Sequence, residues 1–198
     1  MTTLTEVRER PIPFTKEMIE AILAGRKSQT RRVMKVQPDL EFQQYPTIPW
    51  IVDGEQQYTD SGLTLFISDY REGMTQSYTC PYGKVGDRLY VKTHRFLKKI
   101  DTPAWLEITD IRVERLQDIT EQDAITEGIA HNWIGQDCPP EYEDEYMNYG
   151  GDEDDFPCFS ARESFQTLWQ SINSERPGCS WQDNPFVWVV GFKRIEVK

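Results

Sequence analysis

The chain has 198 residues, with 33 acidic and 22 basic side chains and a formal net charge of −11. Its length suits a single domain over 1–198, long enough to bury roughly 70% of its unfolded surface without a disulfide or metal. The charge argues against broad binding of a nucleic-acid duplex, no apolar run reaches the ~18 residues of a membrane span, and the opening MTTLTEVRERPIPF lacks a signal-peptide core.

A cytoplasmic location, with no membrane partner, is therefore expected. The acidity is local. Nine acidic residues and no Lys or Arg lie between Asp137 and Asp155, and the rest of the chain is close to balance.

In chain order, residues 1–10 read as a frayed start. PFTKEMIEAILAGRK then predicts a helix capped by Thr15, with Met18, Ile19, Ile22 and Leu23 on one face and Gly25 as its left-handed stop. RRVMKV predicts a short strand closed by Pro38. Residues 38–79 carry Pro and Gly punctuation and read as an insertion, with LTLFIS as one strand of a hairpin.

CPYGKVGDRLYVK predicts turns and a strand with Leu89 and Val91 alternating inward. WLEITDIRVERLQDI predicts a long strand with Leu106, Ile108, Ile111 and Val113 inward, and the parity slip after Ile108 predicts a bulge. TEQDAITEGI predicts a short helix with a Thr120–Asp123 capping box and a stop at Gly128. Residues 130–158 form a second insertion, the acidic loop. SARESFQTLWQSIN predicts a helix with a Ser160–Glu163 box and Phe165, Leu168, Trp169 and Ile172 on one face, and NPFVWVVGFKRIEV the final buried strand.

Five or six strands and three short helices without βαβ alternation predict an α+β fold, a small, mixed and mostly antiparallel barrel. No GxGxxG or P-loop is present. Cys80, Cys138, Cys158 and Cys179 are scattered, and His94 and His131 stand at no metal-ligand spacing, so neither a metal nor a cofactor is expected. Two histidines also supply a Ser-His-Asp or Cys-His engine poorly.

That leaves GRKSQTRR, residues 25–32. Cations after a helix stabilise its dipole without any ligand, yet Lys27 and Thr30 are spaced to face one cavity. PFTKEMIEAILAGRKSQTRRV, YGKVGDRLYVK, ITDIRVERLQDITEQDAITEGI and FVWVVGFKRI together resemble the ASCH domain family, relatives of the PUA-like RNA-binding barrels. The likeness is to the larger versions in phage and prophage genomes, and it leaves both insertions unexplained. GRKSQT matches the family's Gly-Arg-Lys-x-x-Thr turn.

The resemblance implies a PUA-like barrel. It also implies the activity of the family's amidohydrolase branch, which removes acyl groups from N4-acetylcytidine and uses no cofactor. Carried over, the working residues are Lys27, Thr30 and Glu127, with Thr30 as nucleophile. Either Lys27 is the base, its pKa depressed by burial and by Arg26 and Arg31, or Glu127 is the base and Lys27 the oxyanion stabiliser.

Arg26, Arg31, Tyr82 and Trp133 are the candidate substrate-binding residues; Arg32 and Lys35 are further candidates for gripping ribose or phosphate. Trp169 and Trp188 lie in apolar patterns and are expected in the core. KTHRF, with Thr93, His94 and Arg95, stands where an acidic-aromatic pair is expected. The implied partner is a small modified nucleoside. The alternative is a PUA-like binder of RNA or single-stranded nucleic acid, with nuclease activity as a variant; a third reading makes the acidic loop a DNA mimic or a host-factor contact.

Overall fold

The computed structural model describes residues 7–38, 50–52, 55–57, 64–69, 74–94, 96–130, 145–150 and 157–196. In chain order the elements are β1 (Glu9–Pro13), α1 (Lys16–Leu23), β2 (Gln29–Val33), β3 (Trp50–Val52), β4 (Glu55–Gln57), β5 (Thr64–Asp69), β6 (Met74–Thr79), β7 (Arg88–Lys92), β8 (Trp105–Arg115), α2 (Glu121–Thr126), α3 (Ala161–Asn173) and β9 (Phe186–Ile195). This is a mixed α+β fold around a five-stranded sheet ordered β1-β7-β8-β9-β2. Only β1 and β7 pair in parallel; the other neighbours are antiparallel.

β9 explains the sheet's centre. Phe186 to Phe192 are all buried, because the strand is covered on both faces and its sequence is accordingly an unbroken apolar run. Trp188, Val190 and Phe192 face a cluster with Ile12, Phe14 and Leu106. Val187 and Val189 face the opposite cluster, with Phe165, Trp169 and Trp181 of and beyond α3. Trp169 and Trp188 are core residues, as their patterns predict.

The sheet's two ends depart from the sequence expectation. Residues 9 and 10 are not frayed but begin β1. Pro11 and Pro13 hide the strand from pattern reading, and they are tolerated because β1 pairs only with β7 and needs no donors on its outer side. β2 begins at Gln29, two residues before the predicted start, and ends at Val33. In α1, Leu23 is 45% exposed and not part of the buried face.

Other local expectations hold. Thr15 Oγ1 accepts from the Met18 N–H at 3.4 Å, and Gly25 has φ +75°. β5 and β6 form the hairpin that contains LTLFIS; β3 and β4 form a second two-stranded sheet in the same 38–79 segment. The register of β8 on β9 slips between Ile108 and Asp110, the expected bulge.

The Thr120–Asp123 box is complete. At α3 the box is altered: Ser160 accepts from Glu163 N–H at 3.1 Å, but Glu163 reaches back to Phe159 N–H. Most of the acidic segment, with Cys138, lies outside the described residues. Among those described, Cys80, Cys158 and Cys179 are free and buried.

Candidate active site

The site begins at the end of α1. Gly25, in a left-handed conformation, reverses the chain so that Arg26 N–H and Lys27 N–H both donate to the Ala21 carbonyl, at 2.9 and 3.1 Å. The turn throws the Lys27 side chain back beneath the end of α2. There Gly128 has φ +91°, and a Cβ on it would lie 2.9 Å from Lys27 Cβ and 3.2 Å from Ala21 Cβ. Gly128 is thus needed for its backbone angle and for the passage of Lys27.

Beneath that glycine the Lys27 ammonium donates to the Glu127 carbonyl at 2.6 Å and to Glu127 Oε2 at 2.9 Å. Its side chain is 0% exposed and that of Glu127 is 4% exposed. The other carboxylate oxygen, Oε1, accepts from Arg31 Nη1 at 3.2 Å. Burial lowers the Lys27 pKa, while Glu127 opposes the shift.

Arg31 does not stop at Glu127. Its Nη2 lies 2.8 Å from Glu114 Oε2 and 3.3 Å from Asp123 Oδ2. Arg112 closes the network through Glu114 and Asp123, the latter at 2.9 Å. Lys27, Arg31 and Arg112 thereby balance Glu127, Glu114 and Asp123, which lets this many charges stay out of water. Arg31 Nε remains buried without an acceptor.

A cavity of about 560 Å³ opens beside these groups, within the range that holds small organic ligands. Four consecutive residues of β2, Thr30 to Val33, line it. β2 is an edge strand, and since successive side chains of a strand point to opposite faces, the cavity reaches both of them. Phe14, Tyr82, Phe165 and Trp169 supply aromatic wall, and Glu127 is the only acidic residue in it among the described residues. Ile172, placed on the packed face of α3 by periodicity, is 47% exposed because it faces this cavity instead.

The predicted residues fare differently. Thr30 and Glu127 share the cavity wall; Lys27 is not in the wall and sits sealed behind Glu127. Arg31 is in the wall but is bound to three carboxylates. Tyr82 lines the cavity half-buried, and burial raises its phenol pKa. Arg26 is exposed and off the wall. Trp133 and Arg95 lie outside the described residues; Thr93 is in the wall, His94 is not.

Sequence reading missed Arg112, Glu114, Asn173 and Arg176, and took Asp123 only as a cap. Arg112 and Glu114 did carry a signal, since their spacing of two on β8 places both on one strand face.

Burial pushes Cys80 up to about 11, and no cluster of His, Cys, Asp and Glu among the described residues is arranged for a metal. No described helix is long and apolar enough to cross a membrane.

No family model matches the chain, and no curated protein does. Among solved structures, it is similar to an ASCH domain from Lactobacillus crispatus, at 12% identity and a TM-score of 0.40 over 94% of this chain and 79% of that one. It is also similar to protein EF3133 from Enterococcus faecalis, at 10% identity and a TM-score of 0.42 over 98% and 83%.

Proposed function

We propose that the chain is an ASCH-type, PUA-like amidohydrolase that removes the acyl group from N4-acylated cytosine nucleosides. One observation carries this reading: Thr30 and Glu127 share the wall of a nucleoside-sized cavity, and the Glu127 carboxylate is fixed from behind by Lys27 and Arg31. A hydroxyl, a proton acceptor and a dry aromatic enclosure are what amide cleavage by a threonine requires.

In this mechanism Thr30 Oγ1 attacks the acyl carbonyl as its proton passes to Glu127. The tetrahedral oxyanion is met by Arg31 Nε, the buried donor that otherwise lacks an acceptor. The bond from carbonyl carbon to N4 then breaks and N4 takes the proton, leaving cytosine with a free amine and an ester on Thr30. Water cleaves the ester, releasing the carboxylic acid and restoring the hydroxyl. Glu127 is the base in preference to Lys27 because it faces the cavity, whereas the ammonium is sealed behind it.

The test is to incubate the purified protein with N4-acetylcytidine and follow the ultraviolet change as cytidine forms. No turnover, or turnover that survives Thr30→Ala, overturns the reading. The alternative, a binder of RNA or single-stranded nucleic acid, is favoured by Arg32, Lys35 and Arg176 in the cavity wall. It predicts salt-sensitive binding of oligonucleotides that weakens on Arg32→Ala.

A further inference from the structure

One part of the cavity wall carries cations that lack an ion-pair partner among the described residues. Arg32, Lys35 and Arg176 all line it, and none is in an ion pair among the described residues. Glu127, the single carboxylate of the wall among the described residues, is already engaged by Lys27 and Arg31.

Two of the three cations are also held in place. Arg32 Nη2 donates to the Pro13 carbonyl at 2.7 Å, its guanidinium lies 5.1 Å from the centre of the Phe14 ring, and its Nε is buried with no acceptor. Arg176 Nη1 donates to Asn173 Oδ1 at 2.9 Å, which ties it to the end of α3. The Tyr82 hydroxyl lies within the field of both: burial raises its pKa, and Arg32 and Arg176 each pull it down.

A partly desolvated guanidinium with an idle donor is costly unless something fills the gap. In a chain of net charge −11, Arg32 in that state, gathered with the exposed Lys35 and Arg176 on one cavity, is explained by an anion that enters it. Two planar forks and an ammonium suit the oxygens of a phosphate.

We propose that Arg32, Arg176 and Lys35 form a phosphate subsite, so that the cavity takes a nucleoside monophosphate in preference to the free nucleoside. The identity of the base rests on the deacylase reading above; the anion subsite does not. A mononucleotide is favoured over a polymer because the net charge of −11, most of it from the segment between Asp137 and Asp155, disfavours a long polyanion.

The experiment is calorimetric titration of the protein with cytidine, cytidine 5′-monophosphate, cytidine 3′-monophosphate, adenosine 5′-monophosphate and a short cytidine-containing RNA. At least one cytidine monophosphate should bind about tenfold or more tightly than cytidine, with an advantage that shrinks as salt rises. Arg176→Ala should pull the ratio of the two affinities toward one, and Arg176→Lys should restore part of it. Adenosine monophosphate binding equally, still through Arg176, would keep the anion subsite and sink the cytosine reading. Cytidine matching both its monophosphates while deacylation proceeds would remove the subsite and leave the deacylase. RNA binding more tightly than every mononucleotide, or no binding of any ligand, would overturn the inference.

Discussion

The Lys27 ammonium lies 2.9 Å from Glu127 Oε2, and the two residues are 100 positions apart in the chain. Arg31 grips the same carboxylate from its other oxygen at 3.2 Å. Because all three side chains are buried, removing one leaves the charge of the others less well balanced where water cannot make up the loss.

Lys27→Met should therefore cost about 3–5 kcal/mol of folding stability, the usual penalty for orphaning one half of a buried pair. The double variant Lys27→Met/Glu127→Gln should be less destabilised than the sum of its two single variants. Urea unfolding of the four proteins measures this. Simple additivity would mean that the pair is not coupled.

Gly128→Ala should destabilise the fold and displace the site at once. The added methyl meets Lys27 Cβ at 2.9 Å, and the backbone there has φ +91°. A cost of about 1–3 kcal/mol is expected for the forced backbone and the clash together. Deacylation should fall as well, since Lys27 can no longer seat behind Glu127. Unchanged melting temperature and unchanged turnover would contradict this geometry.

Stability should depend on pH through Lys27. Burial holds its ammonium below the ordinary value even though Glu127 pulls it upward. Between that lowered value and the ~10.4 of an unfolded lysine, the unfolded chain binds more protons than the folded one, so stability rises with pH across the window. Below the window both states are protonated and the slope from this residue vanishes. The stability difference between wild type and Lys27→Met, followed into the alkaline range, should grow with pH; a flat or falling difference would exclude the assignment.

If Thr30 is the nucleophile as proposed, Thr30→Ala should abolish turnover of N4-acetylcytidine while leaving binding of cytidine measurable, because the hydroxyl would attack and the walls would bind. Glu127→Gln keeps the shape but cannot take a proton, and should lower turnover by about 10²–10⁴. Loss of cytidine binding in the threonine variant, measured calorimetrically, would make Thr30 a structural residue of the cavity.

Asp123→Asn should act at a distance. Asp123 does not line the cavity and its backbone carbonyl accepts from the Glu127 N–H at 2.9 Å, while its carboxylate accepts from Arg112 at 2.9 Å and lies 3.3 Å from Arg31. Weakening this brace frees Arg31 to shift, so turnover should drop and its pH profile should move, with the affinity for cytidine less affected. A change in melting temperature alone would limit Asp123 to capping α2.

Much of this was legible in local order. The apolar beat of α1 and α3, the unbroken run of β9, the slip after Ile108 and the glycines at 25 and 128 each express a short-range rule, and each has its counterpart in the structure. Lys27 and Thr30 were visible as a turn after a helix; Glu127 stood out through family resemblance, because a helix-end glutamate is ordinary by itself. β1 escaped, since its prolines mimic a loop and only pairing with β7 makes it a strand. The expected substrate role of Arg31 gave no hint that three carboxylates from β8 and α2 would claim it.

The sequence alone determined which segments could be helix or strand, where they had to turn, and which residues carried charge or a hydroxyl. Those properties depend on neighbours within a few positions. The tertiary structure decided that Glu127 faces a cavity while Lys27 is sealed behind it, and that Arg32 of β2 and Arg176, just beyond α3, line one wall close enough to repel each other. Electrostatic and packing energies depend on distance and on exclusion of water, and neither is a property of position along the chain.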